Sequence, residues 1–279
     1  MPDKRSVLRD RVALWLKFLR ELGVETLEMT DSVREFLGKD AACVCPGAFK
    51  PGPLEDAQGG CRVPALAASV TPVNNDDMPP PKGKSQLADV LVLLGNCKRC
   101  DLHKQRTNIV FGEGPDNARL FIVGEAPGRE EDIEARPFVG PSGALLAKML
   151  KAINIDRASA YITSVVKCRP PENRTPRPEE IAACLPFLFM QIMAVSPKFI
   201  LALGQTAAQS LIGDKRAVHG LRGAFHPLCL NKMEASDIKV LVTYHPAYIL
   251  RHGGDRQKAI KLEAWRDLQM LQKEYEKIV

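Results

Sequence analysis

Arg119-Leu-Phe-Ile-Val-Gly-Glu-Ala-Pro-Gly128 joins a short apolar run to a loop of glycine, proline and acid. Successive apolar side chains leave the run no polar face, so it reads as a strand buried on both sides, ended by Gly124 and Pro127. Working outward, the pattern predicts a helix over 142–153, a strand over 160–167, a proline-rich loop and a helix from 178. A strand over 198–203, a helix over 205–212, a strand over 238–244 and a closing helix from about 256 follow. Buried strands alternating with helices predict an α/β fold, a central parallel sheet with helices on both faces. Ligands of such sheets bind beyond the carboxyl ends of the strands. That rule selects Gly124-Glu-Ala-Pro-Gly, Lys167-Cys-Arg-Pro-Pro and His245-Pro-Ala-Tyr, which should converge on one edge.

The chain has 279 residues, 45% hydrophobic and 26% charged, as in a globular protein. Its net charge of +6 favours an anionic partner only mildly. No apolar run reaches the roughly 18 residues of a membrane span, and charges interrupt 7–19, so no signal peptide is read and a cytoplasmic, nucleoid-associated location is expected. Val7, Leu8, Val12, Leu14, Trp15, Phe18, Leu19 and Leu22 describe an amphipathic helix over 6–22, and a second short helix is expected over 30–37. Pro, Gly, Asp and Asn then accumulate from Gly38 to Lys84, too polar a stretch to order itself. Two segments result: an N-terminal helical and linker extension, 1–84, and a folded unit, 85–279.

Eight cysteines in a reducing compartment favour metal binding over disulfides. Cys97-Lys-Arg-Cys100 is a C-x-x-C pair, and Cys168 and Cys184 lie further on, the latter on the helix opened by Pro178. Two close and two distant thiolates can complete a four-sulfur site, and spacing does not separate zinc from a [4Fe–4S] cluster. Cys61 and Cys229 read as small buried hydrophobes, and Cys43 and Cys45 as bystander thiols.

Six stretches together carry a resemblance: Cys97-Lys-Arg-Cys-Asp-Leu, Phe111-Gly-Glu-Gly, Gly124-Glu-Ala-Pro-Gly-Arg-Glu-Glu-Asp, Arg136-Pro-Phe-Val-Gly-Pro-Ser-Gly, Val166-Lys-Cys-Arg-Pro-Pro-Glu-Asn-Arg and Thr243-Tyr-His-Pro-Ala-Tyr-Ile-Leu-Arg. Over roughly 90–270 the chain resembles the iron–sulfur (family four, thermostable-type) uracil-DNA glycosylases. The resemblance implies a [4Fe–4S] cluster on Cys97, Cys100, Cys168 and Cys184. It also implies hydrolysis of the N-glycosidic bond of uracil in single- or double-stranded DNA, leaving an abasic site, by a monomeric base-excision-repair enzyme.

That chemistry builds positive charge on the sugar and negative charge on the departing base, which must first leave the stack. The resemblance places His245 against the anionic uracil O2, where a neutral donor suffices. By the same resemblance Glu125 and Glu131 line the site, with Glu131 the better candidate for orienting water or stabilising the sugar cation, while Glu130 and Asp132 read as solvated charge. Phe138 matches the uracil-stacking aromatic, and Ser142 with Gly143 opens a helix whose amides can hold a phosphate. Lys167, Arg169, Arg174 and Arg251 are candidate backbone contacts. Ala126 replaces a glycine of some members, and Ser164 stands where the best-known members place the asparagine that reads the pyrimidine edge. Competing readings are a glycosylase for other deaminated bases such as hypoxanthine or xanthine, a non-catalytic cluster-bearing DNA-binding module, and an electron carrier. The helix over 6–22 is a candidate docking element for a protein partner.

Overall fold

The computed structural model describes residues 87–230 and 233–278. The expected helices over 6–22 and 30–37, the linker, Cys43, Cys45 and Cys61 lie outside the described residues.

The described chain opens with helix α1 (Leu87–Leu94), then strand β1 (Leu120–Gly124), α2 (Arg129–Glu134), α3 (Pro141–Ala152) and β2 (Tyr161–Ser164). There follow α4 (Pro178–Val195), β3 (Phe199–Leu203), α5 (Gln205–Ile212), α6 (Val218–Leu221), β4 (Phe225–Leu230), β5 (Met233–Thr243), α7 (Pro246–Leu250) and α8 (Gly254–Tyr275). The strands form one sheet in the order β2-β1-β3-β5-β4. The first four run parallel, with Ile122 opposite both Ile162 and Leu201 and Leu241 opposite Leu201.

Alternation across the pleat explains why the strands read as unbroken apolar runs. Leu120, Ile122, Leu201, Leu203 and Leu241 form a core with Leu146 and Leu150 of α3, Ile249 of α7 and Leu268 and Leu271 of α8. Their neighbours Phe121, Val123, Ile200, Ala202, Val240 and Val242 are equally buried. On that second face Phe121 stacks on Tyr161, whose hydroxyl accepts from Gln191 of α4. Both faces of the sheet are therefore covered, as the pattern predicted.

Strand β4 is an addition to the parallel strands expected from the sequence. It pairs antiparallel with β5 at the sheet edge, with a register shift between Pro227 and Leu228. Proline cannot donate to a ladder and is tolerated at such an edge, which hid the strand from a reading based on apolar periodicity. Helix α4 is long and apolar enough to cross a membrane by length and composition, yet it carries Glu180, Cys184 and Gln191 buried within the protein. Cys229 is buried as expected, but it is disulfide-bonded rather than a free thiol.

Candidate active site

The carboxyl ends of the four parallel strands open into a cleft of about 670 Å³. Glu125 and Ala126 enter it after β1, Ser164 at the end of β2, Leu203 and Gly204 at the end of β3 and just beyond, and Tyr244 and His245 after β5. Phe138, Ser142, Arg174 and Arg251 also line it. The three loops selected from the sequence do share one edge.

His245 owes its orientation to the Thr-Tyr-His-Pro turn. It caps α7, with Pro246 as the first helical residue, and its Nδ1 accepts from the Ala247 amide at 3.1 Å. An amide can only donate, so Nδ1 carries the lone pair and Nε2 carries the proton in the neutral ring. Burial, reinforced by the Arg251 charge, pulls the His245 pKa from 6.5 to about 4. The side chain is thus a neutral imidazole, protonated on Nε2, in the lining of the cleft. Gly204 makes room for it: at φ +88°, a Cβ there would lie 3.1 Å from that of His245.

Phe138 stacks beside the imidazole, with ring centroids 5.6 Å apart. Its backbone is left-handed, φ +54°, which a bulky residue adopts only under constraint. Two glycines permit it. A Cβ on Gly124 would sit 2.6 Å from the Phe138 ring, and one on Gly143 only 1.7 Å from the Phe138 carbonyl oxygen. Gly143 was read as part of a phosphate-holding helix start; here its lack of a side chain is what seats Phe138. The turn is braced further by Arg157, which donates to the Pro137 carbonyl at 2.8 Å and to Glu113 at 2.7 Å.

The two acids of the first loop differ in what holds them. Both oxygens of Glu131 are occupied: one accepts from Gly128 N, the other from Val139 N and Gly140 N, each at 3.0 Å. Glu125 accepts from Thr206 Oγ1 through Oε2 at 2.5 Å and lines the cleft. Asp132 is not the solvated charge expected of it. It is 2% exposed and accepts from the Thr107 and Asn108 amides at 2.9–3.1 Å, tying α2 to the segment that follows Cys100.

Lys167 also departs from its expected place. It is 0% exposed and donates through Nζ to Thr163 Oγ1 and the Ser164 carbonyl, both at 2.7 Å, so it cannot reach a phosphate. Burial lowers its pKa to about 7, opposed by the Cys184 and Cys168 sulfurs. Arg169 donates to Asn173 Oδ1 rather than lining the cleft, and Arg174 pairs with the buried Glu180 at 2.6 Å. Arg251 is exposed at the cleft mouth.

Cys97, Cys100, Cys168 and Cys184 are all free, the last two buried. Arg106 Nη1 donates to Cys168 Sγ at 3.0 Å and to the Cys97 carbonyl at 2.8 Å. Arg99 reaches Cys97 Sγ, and the Lys167 amide reaches Cys184 Sγ, both at 3.3 Å. Burial raises the Cys100 and Cys168 thiols and pushes Cys184 up to about 12. Such N–H donors aimed at sulfur fit thiolates that bind a metal group. Among the described residues, no three His, Cys, Asp or Glu side chains are gathered so as to hold a metal ion. Reasoning from sequence missed Arg106, Thr206 and Asp132, whose partners are distant in the chain and leave no local signal.

A family model for the uracil DNA glycosylase superfamily matches residues 111–269, and the chain belongs to that superfamily. Within it, a type-4 uracil-DNA glycosylase of Thermotoga maritima is 46% identical over 169 residues, covering 60% of this chain and 84% of that protein. A type-4 uracil-DNA glycosylase of Archaeoglobus fulgidus is 40% identical, over 59% of this chain and 83% of its own. A type-5 uracil-DNA glycosylase of Pyrobaculum aerophilum is 32% identical, over 48% and 63% respectively.

Proposed function

We propose that this protein hydrolyses the N-glycosidic bond of uracil in DNA, leaving an abasic site for repair. The observation that carries the reading is the neutral His245 beside Phe138 in a cleft at the strand ends. An extruded base stacks on Phe138 and meets the Nε2–H, a bond that strengthens as negative charge gathers on the leaving uracil. On the sugar side, Glu125 keeps one oxygen outside the Thr206 bond and takes the role of orienting water or stabilising the cation. Glu131, favoured for that role by sequence, instead fixes the two loops through three amides. Ser164 supplies a hydroxyl without fixed polarity at the base edge, and Arg251 serves the phosphate backbone.

The four cysteines are proposed to hold a [4Fe–4S] cluster. Four free thiols, with N–H donors to the Cys97, Cys168 and Cys184 sulfurs, support a metal group there, and the resemblance to the iron–sulfur glycosylases favours a cluster over zinc. When bound, the cluster supplies a structural tie between the segment before β1 and the loop after β2. Residues 85–279 are proposed as the catalytic unit, and 1–84 as an appendage.

The reading is tested with single strands carrying one uracil, thymine or cytosine, treated with alkali after incubation. Nicking at uracil alone is expected. No nicking at any base overturns the assignment.

A further inference from the structure

We propose that Lys167 is a positioning residue, locking the Ser164 edge of the base pocket to the cysteine-bearing segments beneath it. The inference rests on the uracil-excision reading and deepens it. Every polar atom of Lys167 is engaged. Its amide donates to Cys184 Sγ at 3.3 Å, its carbonyl accepts from Val110 N at 2.8 Å, and its Nζ donates to Thr163 and Ser164 at 2.7 Å each. One residue thus joins α4, the segment after Cys100 and the end of β2.

Strand β2 stops at Ser164, and the carbonyl there takes the buried ammonium. Thr163 relays the constraint, since its hydroxyl also donates to the Phe111 carbonyl at 2.7 Å. Removing the amine strands two buried acceptors, which must turn or move to find partners. The Ser164 carbonyl cannot move without carrying the Ser164 hydroxyl, which lines the cleft. A misplacement of about 1 Å at a reacting centre costs about 100-fold in rate, so a strut outside the cleft can control the step inside it.

The test uses the full chain and reads three quantities together: single-turnover release of uracil from a single strand at saturating enzyme, iron per chain with visible absorbance, and affinity for a uracil-free strand. Lys167→Met keeps the main-chain bonds to Cys184 and Val110, so iron, colour and affinity should match the wild type. Its release rate should fall about 10- to 100-fold. Thr163→Val, the milder variant, should lose about 3- to 10-fold, and Thr163→Ser should restore the wild-type rate by returning the hydroxyl. A rate within about two-fold of wild type in Thr163→Val overturns the proposal, even where Lys167→Met does not fold. A fall in Lys167→Met that merely tracks lost iron overturns it too, because it makes the residue structural. Failure of the wild type to release uracil overturns the parent reading and this one with it, so the two failures are distinguishable.

Discussion

His245→Asn separates the chemical role of the histidine from its structural one. The asparagine oxygen can still accept from the Ala247 amide as the cap of α7, so the turn keeps its first bond. What disappears is the Nε2–H donor and the ring beside Phe138. Loss of one donor to a developing oxyanion raises the barrier by about 2.7–4 kcal/mol, or about 10²–10³ in rate. The stacking lost with the ring, about 0.5–1.5 kcal/mol, is a ground-state packing term and should show in thermal stability instead. Single-turnover release of uracil at saturating enzyme measures the first effect, and fluorescence anisotropy on undamaged DNA measures binding. The expected outcome is a rate loss in the stated range with nearly unchanged affinity. Rate and affinity falling by the same factor would refute the reasoning and make His245 a packing residue.

Further predictions concern pH, selectivity, the Phe138 seat and the cluster. Since folding lowers the His245 pKa from 6.5 to about 4, the unfolded chain binds the extra proton between those values, and stability falls as pH falls through that window. Thermal melts should therefore lose less between pH 6.5 and 4 in His245→Asn than in the wild type, and excision should show no inflection near 6.5 from this residue. Ser164→Asn installs an amide of fixed polarity, so uracil release should rise relative to release of hypoxanthine and xanthine; an unchanged ranking means the residue does not read the base. Gly143→Ala places a methyl 1.7 Å from the Phe138 carbonyl oxygen, so excision and melting temperature should both drop, and a wild-type rate would show that Phe138 is not held from below. The purified protein should be brown with about four irons per chain, and Cys168→Ala should lose the colour; a colourless wild type with one zinc excludes the cluster.

The parallel strands were legible because each lies between two covered faces and so carries no polar position, as Phe121 and Ile122 show by burying into opposite layers. The convergence of the loops carrying Glu125 and His245 followed from strand direction, whereas Ser164 was expected within a strand and singled out by resemblance, since β2 ends three residues earlier than the apolar pattern implies. Strand β4 was not legible, since its Pro227 and register shift break the alternation a sequence pattern needs. Helix α2 escaped for a related reason: Arg129-Glu-Glu-Asp looks like solvated charge until tertiary folding buries Asp132 against the amides of Thr107 and Asn108. Lys167 carries the same lesson. A lysine between a strand and a cysteine reads as a surface cation, and only the assembled fold supplies the acceptors that let it be buried. The division of labour between Glu125 and Glu131 was likewise invisible, because it depends on which backbone amides a later loop brings to each carboxylate.

The central claim, hydrolytic release of uracil by this cleft, is met most directly by mass spectrometry of a uracil-bearing strand after incubation and before any alkali. The account predicts free uracil and an unbroken strand lighter by uracil less one water, formed by the wild type and strongly diminished in His245→Asn. An untouched strand, or one already broken at the uracil position before alkali, would contradict it.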